Sequence, residues 1–185
     1  MPNEIAQPSP SVIAGMTREA YVAADGVNWS SLKHMAKSPR HYRHRLDNKE
    51  EDTKALKLGR CIHLAVLEPS LFELVCARWT GGRRAGKEWD AFCTANVGRE
   101  LLGGDEYTKC LDIQCAVRSD PLASGLLYGG APEVSVFWAD EETGLACKGR
   151  MDFICSEPAI VDLKSTRDAS GEGFSACAWR YGYHT

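Results

Sequence analysis

In "KALKLGRCIHLAVLEP", residues 54–69, apolar side chains return at Leu58, Ile62, Ala65 and Val66. That spacing of three to four predicts an amphipathic helix, with Pro69 marking its end. Upstream, "WSSLKHMAK" reads as a short helix capped by Ser30 with Leu32 and Met35 turned inward. In "SPRHYRHRL", Ser38 followed by Pro39 is the favoured order for a second helix start. Downstream, "KEWDAFCTAN" predicts a helix around Trp89 and Phe92. "DEYTKCLDIQCAVRSDPLAS" predicts another, carrying Tyr107, Cys110, Leu111, Cys115 and Val117.

After residue 130 the period changes. "PEVSVFWAD" alternates Val134, Val136 and Trp138 against Glu133, Ser135 and Phe137, the two-residue period of a strand. "EETG" reads as a turn, and "LACKGRMDFI" completes a hairpin. "AIVDLKST" reads as a third, buried strand, and "FSACAWRYGYHT" as the beginning of a helix. Helices, a strand cluster and a final helix predict one α/β domain over residues 25–185. Residues 1–24, with Pro2, Pro8 and Pro10, read as a flexible arm.

Composition narrows this picture. The chain has 185 residues, 44% apolar, enough for one domain with its own core. A formal charge of −3 gives no overall pull toward nucleic acid, so any such signal must be local. No apolar run reaches the roughly 18–20 residues of a membrane helix. The N-terminus lacks the basic and apolar regions of a signal peptide, which predicts a cytoplasmic protein with no membrane partner. Eight cysteines contain no CxxC pair, so structural zinc is not expected and they read as small apolar side chains.

The candidate chemistry lies in "GRMDFICSEPAIVDLKST". On a strand, residues two apart share a face, so Asp162 and Lys164 point together. Lys148, Arg150 and Asp152 share a face of the preceding strand, and pairing of the two strands would bring Asp152 to Asp162. Carboxylates gathered on a partly buried face repel one another, and a divalent cation relieves both the repulsion and the burial. Oxygen ligands suit Mg²⁺, with Mn²⁺ as the alternative. An ion pair of Asp152 or Asp162 with Lys164 or Arg150 is the competing reading, and D-x-K alone does not separate the two. His63, set among apolar neighbours on the strongest helix, and Glu133, at the start of the hairpin, are further candidates.

The order H…E…GxxD…D-L-K-S resembles the PD-(D/E)xK nuclease superfamily and, within it, the RecB-like exonucleases. "WSSLKHMAKSPRHYRHRL", "LGRCIHLAVLEP", "KGRMDFI", "IVDLKST" and "YGYH" are similar to segments of the exodeoxyribonuclease VIII (RecE-type) prophage family and fall in its order. The resemblance implies a small mixed sheet flanked by helices, a restriction-endonuclease-like core. It implies His63, Asp152 and Asp162 as metal ligands, joined by the Leu163 carbonyl, with Glu133 as a further ligand candidate. Lys164 would be the catalytic lysine. It further implies 5′-to-3′ degradation of double-stranded DNA, a homo-oligomeric ring and a single-strand annealing recombinase as partner.

The family continues past "YGYH" with a glutamine and then a tyrosine, whereas this sequence stops at Thr185. The expectation is therefore a nuclease domain lacking its C-terminal helix. The alternative is a remnant of weak or no activity that serves as a DNA-binding or protein-interaction module. Some RecB-like relatives carry an iron–sulphur cluster, but the cysteine spacing here does not match one. Two local basic runs offer places for DNA: Lys33 to Arg45, including Arg40 and Arg43, and Arg78 to Lys87, including Arg83 and Arg84.

Overall fold

The computed structural model describes residues 10–48, 52–156, 159–166 and 168–181. In chain order the first elements are β1 (Ser11–Ile13), α1 (Arg18–Ala23), α2 (Trp29–Leu32), a 3₁₀ turn (Lys33–Ala36), α3 (Pro39–Asp47), α4 (Lys54–Leu67) and α5 (Pro69–Val75). Then come β2 (Cys76–Trp79), α6 (Lys87–Ala95), β3 (Glu100–Gly103), α7 (Gly104–Ser119) and α8 (Pro121–Leu126). The chain ends with β4 (Ala131–Ala139), β5 (Ala146–Ile154), β6 (Ile160–Val161) and α9 (Gly171–Tyr181).

The architecture is α/β, a small sheet flanked by helices. Strands β1, β4, β5 and β6 form one sheet in that order, antiparallel at every strand pairing. Parallel pairing occurs at an isolated bridge from Val27 to Cys147 and in the separate β2–β3 pair. The mixed sheet expected from the resemblance is thus mostly antiparallel.

Helix α4 is the centre of the core. The Thr53 hydroxyl accepts from the Leu56 N–H at its N-terminus. Its inner face buries Cys61, Ile62, Ala65, Val66 and Leu67 against Phe72, Cys76, Leu102, Cys110 and Phe153. At its other end the Arg118 guanidinium, from α7, donates twice to the Val66 carbonyl, at 3.0 and 2.6 Å. Both ends of the helix that carries His63 are therefore fixed. Cys61, Cys76 and Cys110 pack in this core as free thiols, and burial pushes the Cys110 thiol up to about 12.

Several elements differ from the sequence reading. Pro69 does not simply end a helix; it is an early residue of α5, where its missing N–H has no helical partner to lose. Asn28, not Ser30, caps α2. Leu32 and Met35 are exposed, because α2, the 3₁₀ turn and α3 pack mainly on one another. The third strand pairs over two residues only, so Asp162 and Lys164 lie just beyond it.

The largest difference is the arm. Residues 10–24 are not loose: β1 pairs with β4 through Val12↔Val136, and α1 docks on β5. Lys148, buried on β5, donates its ammonium to the carbonyls of Tyr21 (3.0 Å), Val22 (3.3 Å) and Ala24 (2.5 Å). A cation at the end of a helix satisfies carbonyls that have no helical donor. Residues 1–9 of the expected arm lie outside the described residues, as do residues 49–51 and 182–185, the latter holding most of "YGYH". Lys148→Met keeps an unbranched side chain one atom shorter and removes its donors. It should cost about 1–3 kcal/mol in urea unfolding and release α1 in hydrogen exchange.

Candidate metal centre

β5 crosses the middle of the sheet, and Asp152 stands on it between two neighbouring segments. On one side the β4–β5 register runs Pro132↔Phe153 and Val134↔Met151, which sets Glu133 opposite Asp152. That position is skipped in the pairing, and Glu133 there has a φ of 51°, the sole left-handed non-glycine among the described residues. Holding a non-glycine residue in that region costs about 1–3 kcal/mol. On the other side Phe153↔Val161 ends β6, and the same register continued by one residue would set Asp162 opposite Asp152. Glu133 and Asp152 thus lie in line across the sheet, and Asp162 follows just past the end of the ladder.

His63, from the middle of α4, comes in beside this line. Its Nδ1 is 3.6 Å from Oδ2 of Asp152. His63, Glu133 and Asp152, all half-buried, each offer a donor atom within 4.8 Å of the others. One imidazole nitrogen and two carboxylates, taken from a helix and two strands, fit a divalent cation. The electrostatics fit it as well. Burial raises the Asp152 carboxyl above its ordinary range, and the nearby Asp162 adds to that; His63 and the Leu163 N–H oppose it. A cation among these donors would offset the burial and the like-charge repulsion.

The remaining predicted residues are placed as follows. Leu163, expected to offer its carbonyl, donates its N–H to Asp152 Oδ2 at 2.7 Å and so fixes that carboxylate. Asp162 is not one of the three clustered donors; its side chain is 59% exposed and paired with the Lys164 ammonium. The ladder that would have held it over Asp152 stops at Val161, which leaves it free to turn to Lys164. Gly59, one turn before His63 on α4, keeps room for Ser165, whose Oγ would lie 3.4 Å from a side-chain carbon there. The G-xxx-H spacing therefore lets the "DLKS" segment approach the helix that carries His63.

Two residues not among the predicted ligands stand at the rim. The Arg150 Nε donates to Glu133 Oε2 at 2.6 Å. Glu68, the residue between α4 and α5, has a carboxyl pushed up first by burial and then by the negative charge of Glu133. In the sequence Glu68 is simply the polar residue before Pro69, and nothing in that position distinguishes it.

The expected DNA contacts are spread over two surfaces. Arg40 and Arg43 are exposed on α3, and Arg43 pairs with Asp47 at 2.9 Å. Arg83 and Lys87 are exposed before and at the start of α6. Arg84 is engaged: it donates to Glu106 at 2.5 Å and lies 5.8 Å over the Trp89 ring. This loop borders a cleft of about 520 Å³ lined by Arg78, Trp79, Arg84 and residues 103–106.

A sequence model of one family covers residues 28–185, described as a PDDEXK-like domain of unknown function (DUF3799). The chain belongs to that PDDEXK-like family. Membership agrees with the α/β fold and with an acidic site on adjacent strands, and it marks the fold as nuclease-type. PDDEXK-like nucleases typically depend on a divalent metal, and the His63–Glu133–Asp152 group has the donors to hold one. No curated protein matches the chain. No helix among the described residues is long and apolar enough to cross a membrane.

Proposed function

We propose that this chain is a divalent-metal-dependent deoxyribonuclease that hydrolyses linear double-stranded DNA from its ends, as an exonuclease of the RecE type. The observation that carries the reading is the convergence of His63, Glu133 and Asp152 beside the Asp162–Lys164 pair, within a PDDEXK-like domain. Mg²⁺ or Mn²⁺ held by His63, Glu133 and Asp152 would acidify a water and polarise a phosphodiester. The protein's own groups divide the remaining work. Leu163 holds the Asp152 carboxylate by its N–H, and Asp162 holds the Lys164 ammonium. From there Lys164 can accompany a scissile phosphate and stabilise charge that develops on it. Asp162, one residue past the end of β6, would join the ligands by turning from Lys164 toward the cation. Arg40, Arg83 and Lys87 are exposed cations suited to the phosphate backbone.

The same reading places the protein in the cytoplasm, in a phage or prophage recombination role, with a ring-like homo-oligomer and a single-strand annealing recombinase as partner. The test of the core claim is digestion of end-labelled linear duplex and closed circular duplex with Mg²⁺, Mn²⁺ or EDTA. Metal-dependent loss of linear DNA with the circle intact is expected. Cutting of the circle would make the enzyme an endonuclease, and no cutting with either metal would overturn the reading.

The imidazole in the ligand set makes a further prediction. Nitrogen donors favour Mn²⁺ over the harder Mg²⁺. Calorimetric titration should show tighter binding of Mn²⁺ than of Mg²⁺. His63→Ala should lose more Mn²⁺ affinity than Mg²⁺ affinity, by about 10-fold or more, so that the preference narrows.

A further inference from the structure

Glu133 answers to two partners. It belongs to the three-donor group with His63 and Asp152, and one of its oxygens is held by Arg150 at 2.6 Å. Arg150 lies two residues before Asp152 on β5, so the two side chains leave the same face. Its register partner across the ladder is Ser135, two residues beyond Glu133 on β4. The Arg150 Nη1 donates to the Ser135 hydroxyl at 2.9 Å, and Ser135 is fully buried. The guanidinium also lies 5.7 Å over the ring of Tyr21, from α1. The Arg150 side chain is 17% exposed and is held by two partners, Ser135 and Tyr21, besides Glu133.

A guanidinium fixed in this way fixes what it binds. Its planar fork directs two separate N–H groups, one to Glu133 and one to Ser135, so its orientation is set by the buried hydroxyl and passed to the carboxylate. A carboxylate has about four acceptor sites across its two oxygens, so the Arg150 bond leaves capacity for a cation. Glu133 needs such a guide. Its backbone is in the left-handed region and skips the ladder at that position, so the pairing of the strands does not orient it.

We propose that Arg150 is the positioning residue of the metal centre: it holds the Glu133 carboxylate in ligating range of His63 and Asp152 and thereby sets how tightly the centre binds a divalent cation. The proposal rests on the metal-site reading above. A simple counter-charge makes the opposite prediction. A positive charge this close to a cation repels it, so if Arg150 only neutralised Glu133, its removal would tighten metal binding.

The experiment is Mn²⁺ titration, followed by electron paramagnetic resonance, on the wild-type chain and on Arg150→Gln, Arg150→Lys, Glu133→Gln and Arg150→Gln/Glu133→Gln. Melting in EDTA checks that each variant folds. Loss of a group that orients a ligand typically weakens metal binding 10- to 100-fold. Arg150→Gln should weaken Mn²⁺ binding by about that factor. Arg150→Lys, which keeps the charge but cannot span both Glu133 and Ser135, should fall between the two. In the Glu133→Gln background the Arg150 change should have almost no further effect, because its route is through Glu133. Unchanged or tighter binding in Arg150→Gln overturns the proposal, as does an equal loss with and without Glu133. Where Arg150→Gln does not fold, Arg150→Lys with and without Glu133→Gln makes the same comparison. A wild-type chain that binds no Mn²⁺ overturns the metal-site reading itself, which is distinct from a wild type that binds and an Arg150 variant that does not differ.

Discussion

Asp152→Asn should abolish DNA cleavage and weaken Mn²⁺ binding by at least about 100-fold, while leaving the metal-free protein as stable as wild type or more so. The loss follows from position: Asp152 is the member of the donor group that has His63 at 3.6 Å and Glu133 opposite it across the ladder. Removing a direct ligand should exceed the 10- to 100-fold typical of a group one step removed. The stability result follows from burial, which raises the Asp152 carboxyl because the charged form is costly there. Asparagine carries no charge and its oxygen can still accept from the Leu163 N–H, so the 2.7 Å contact that shapes the loop survives.

The pH dependence has a definite sign. Folding raises this pKa, so the folded chain keeps a proton in a window where the unfolded chain has released it. The contribution of Asp152 to stability is therefore greatest at acid pH. It declines as pH climbs from the ordinary carboxylate range through the raised value. Urea unfolding of wild type and Asp152→Asn in EDTA across that range should show the decline in the first and its absence in the second. A variant that unfolds in EDTA would make Asp152 a structural ion-pair partner instead.

The parts of this site that the sequence displayed were those held by local periodicity. The four apolar positions on α4 fixed its inner face and set His63 just beside it. The alternation from Val134 onward located the hairpin that carries Glu133 and Asp152, while their opposition across it came only with the register. What the sequence concealed was set by tertiary context. Strands β2 and β3 are four residues each and exist because they pair in parallel across a long separation, which no local period reports. The "AIVDLKST" run has the composition of a long strand, yet only Ile160 and Val161 have a partner to pair with. The left-handed φ of Glu133 follows no glycine or asparagine signal, so its strain and its dependence on Arg150 were invisible until the register was known. The order of residues 10–24 was hidden because it comes from distant partners, strand β4 for β1 and Lys148 for α1.

Lys164→Ala should lower the single-turnover rate of DNA cleavage by about 10²- to 10³-fold, the range seen when a group that stabilises transition-state charge is removed. Affinity for Mn²⁺ should hardly move, since Lys164 is outside the three-donor group. DNA affinity should fall little, because binding energy realised only in the transition state appears in the rate and not in the dissociation constant. The partner of Lys164 sharpens the test. Asp162 pairs with its ammonium just past the end of β6, so Asp162→Asn should remove part of the same rate by taking that contact from the lysine. Two residues that act as one unit are not additive, so the double variant should be scarcely slower than the worse single one. The contrary outcome is equally distinct. If Lys164 merely contacts a phosphate, Lys164→Ala will weaken DNA binding as much as it slows cutting and will reduce the salt dependence of binding by about one counterion. Asp162→Asn would then not act through the lysine, and its effect would add to that of Lys164→Ala in the double variant.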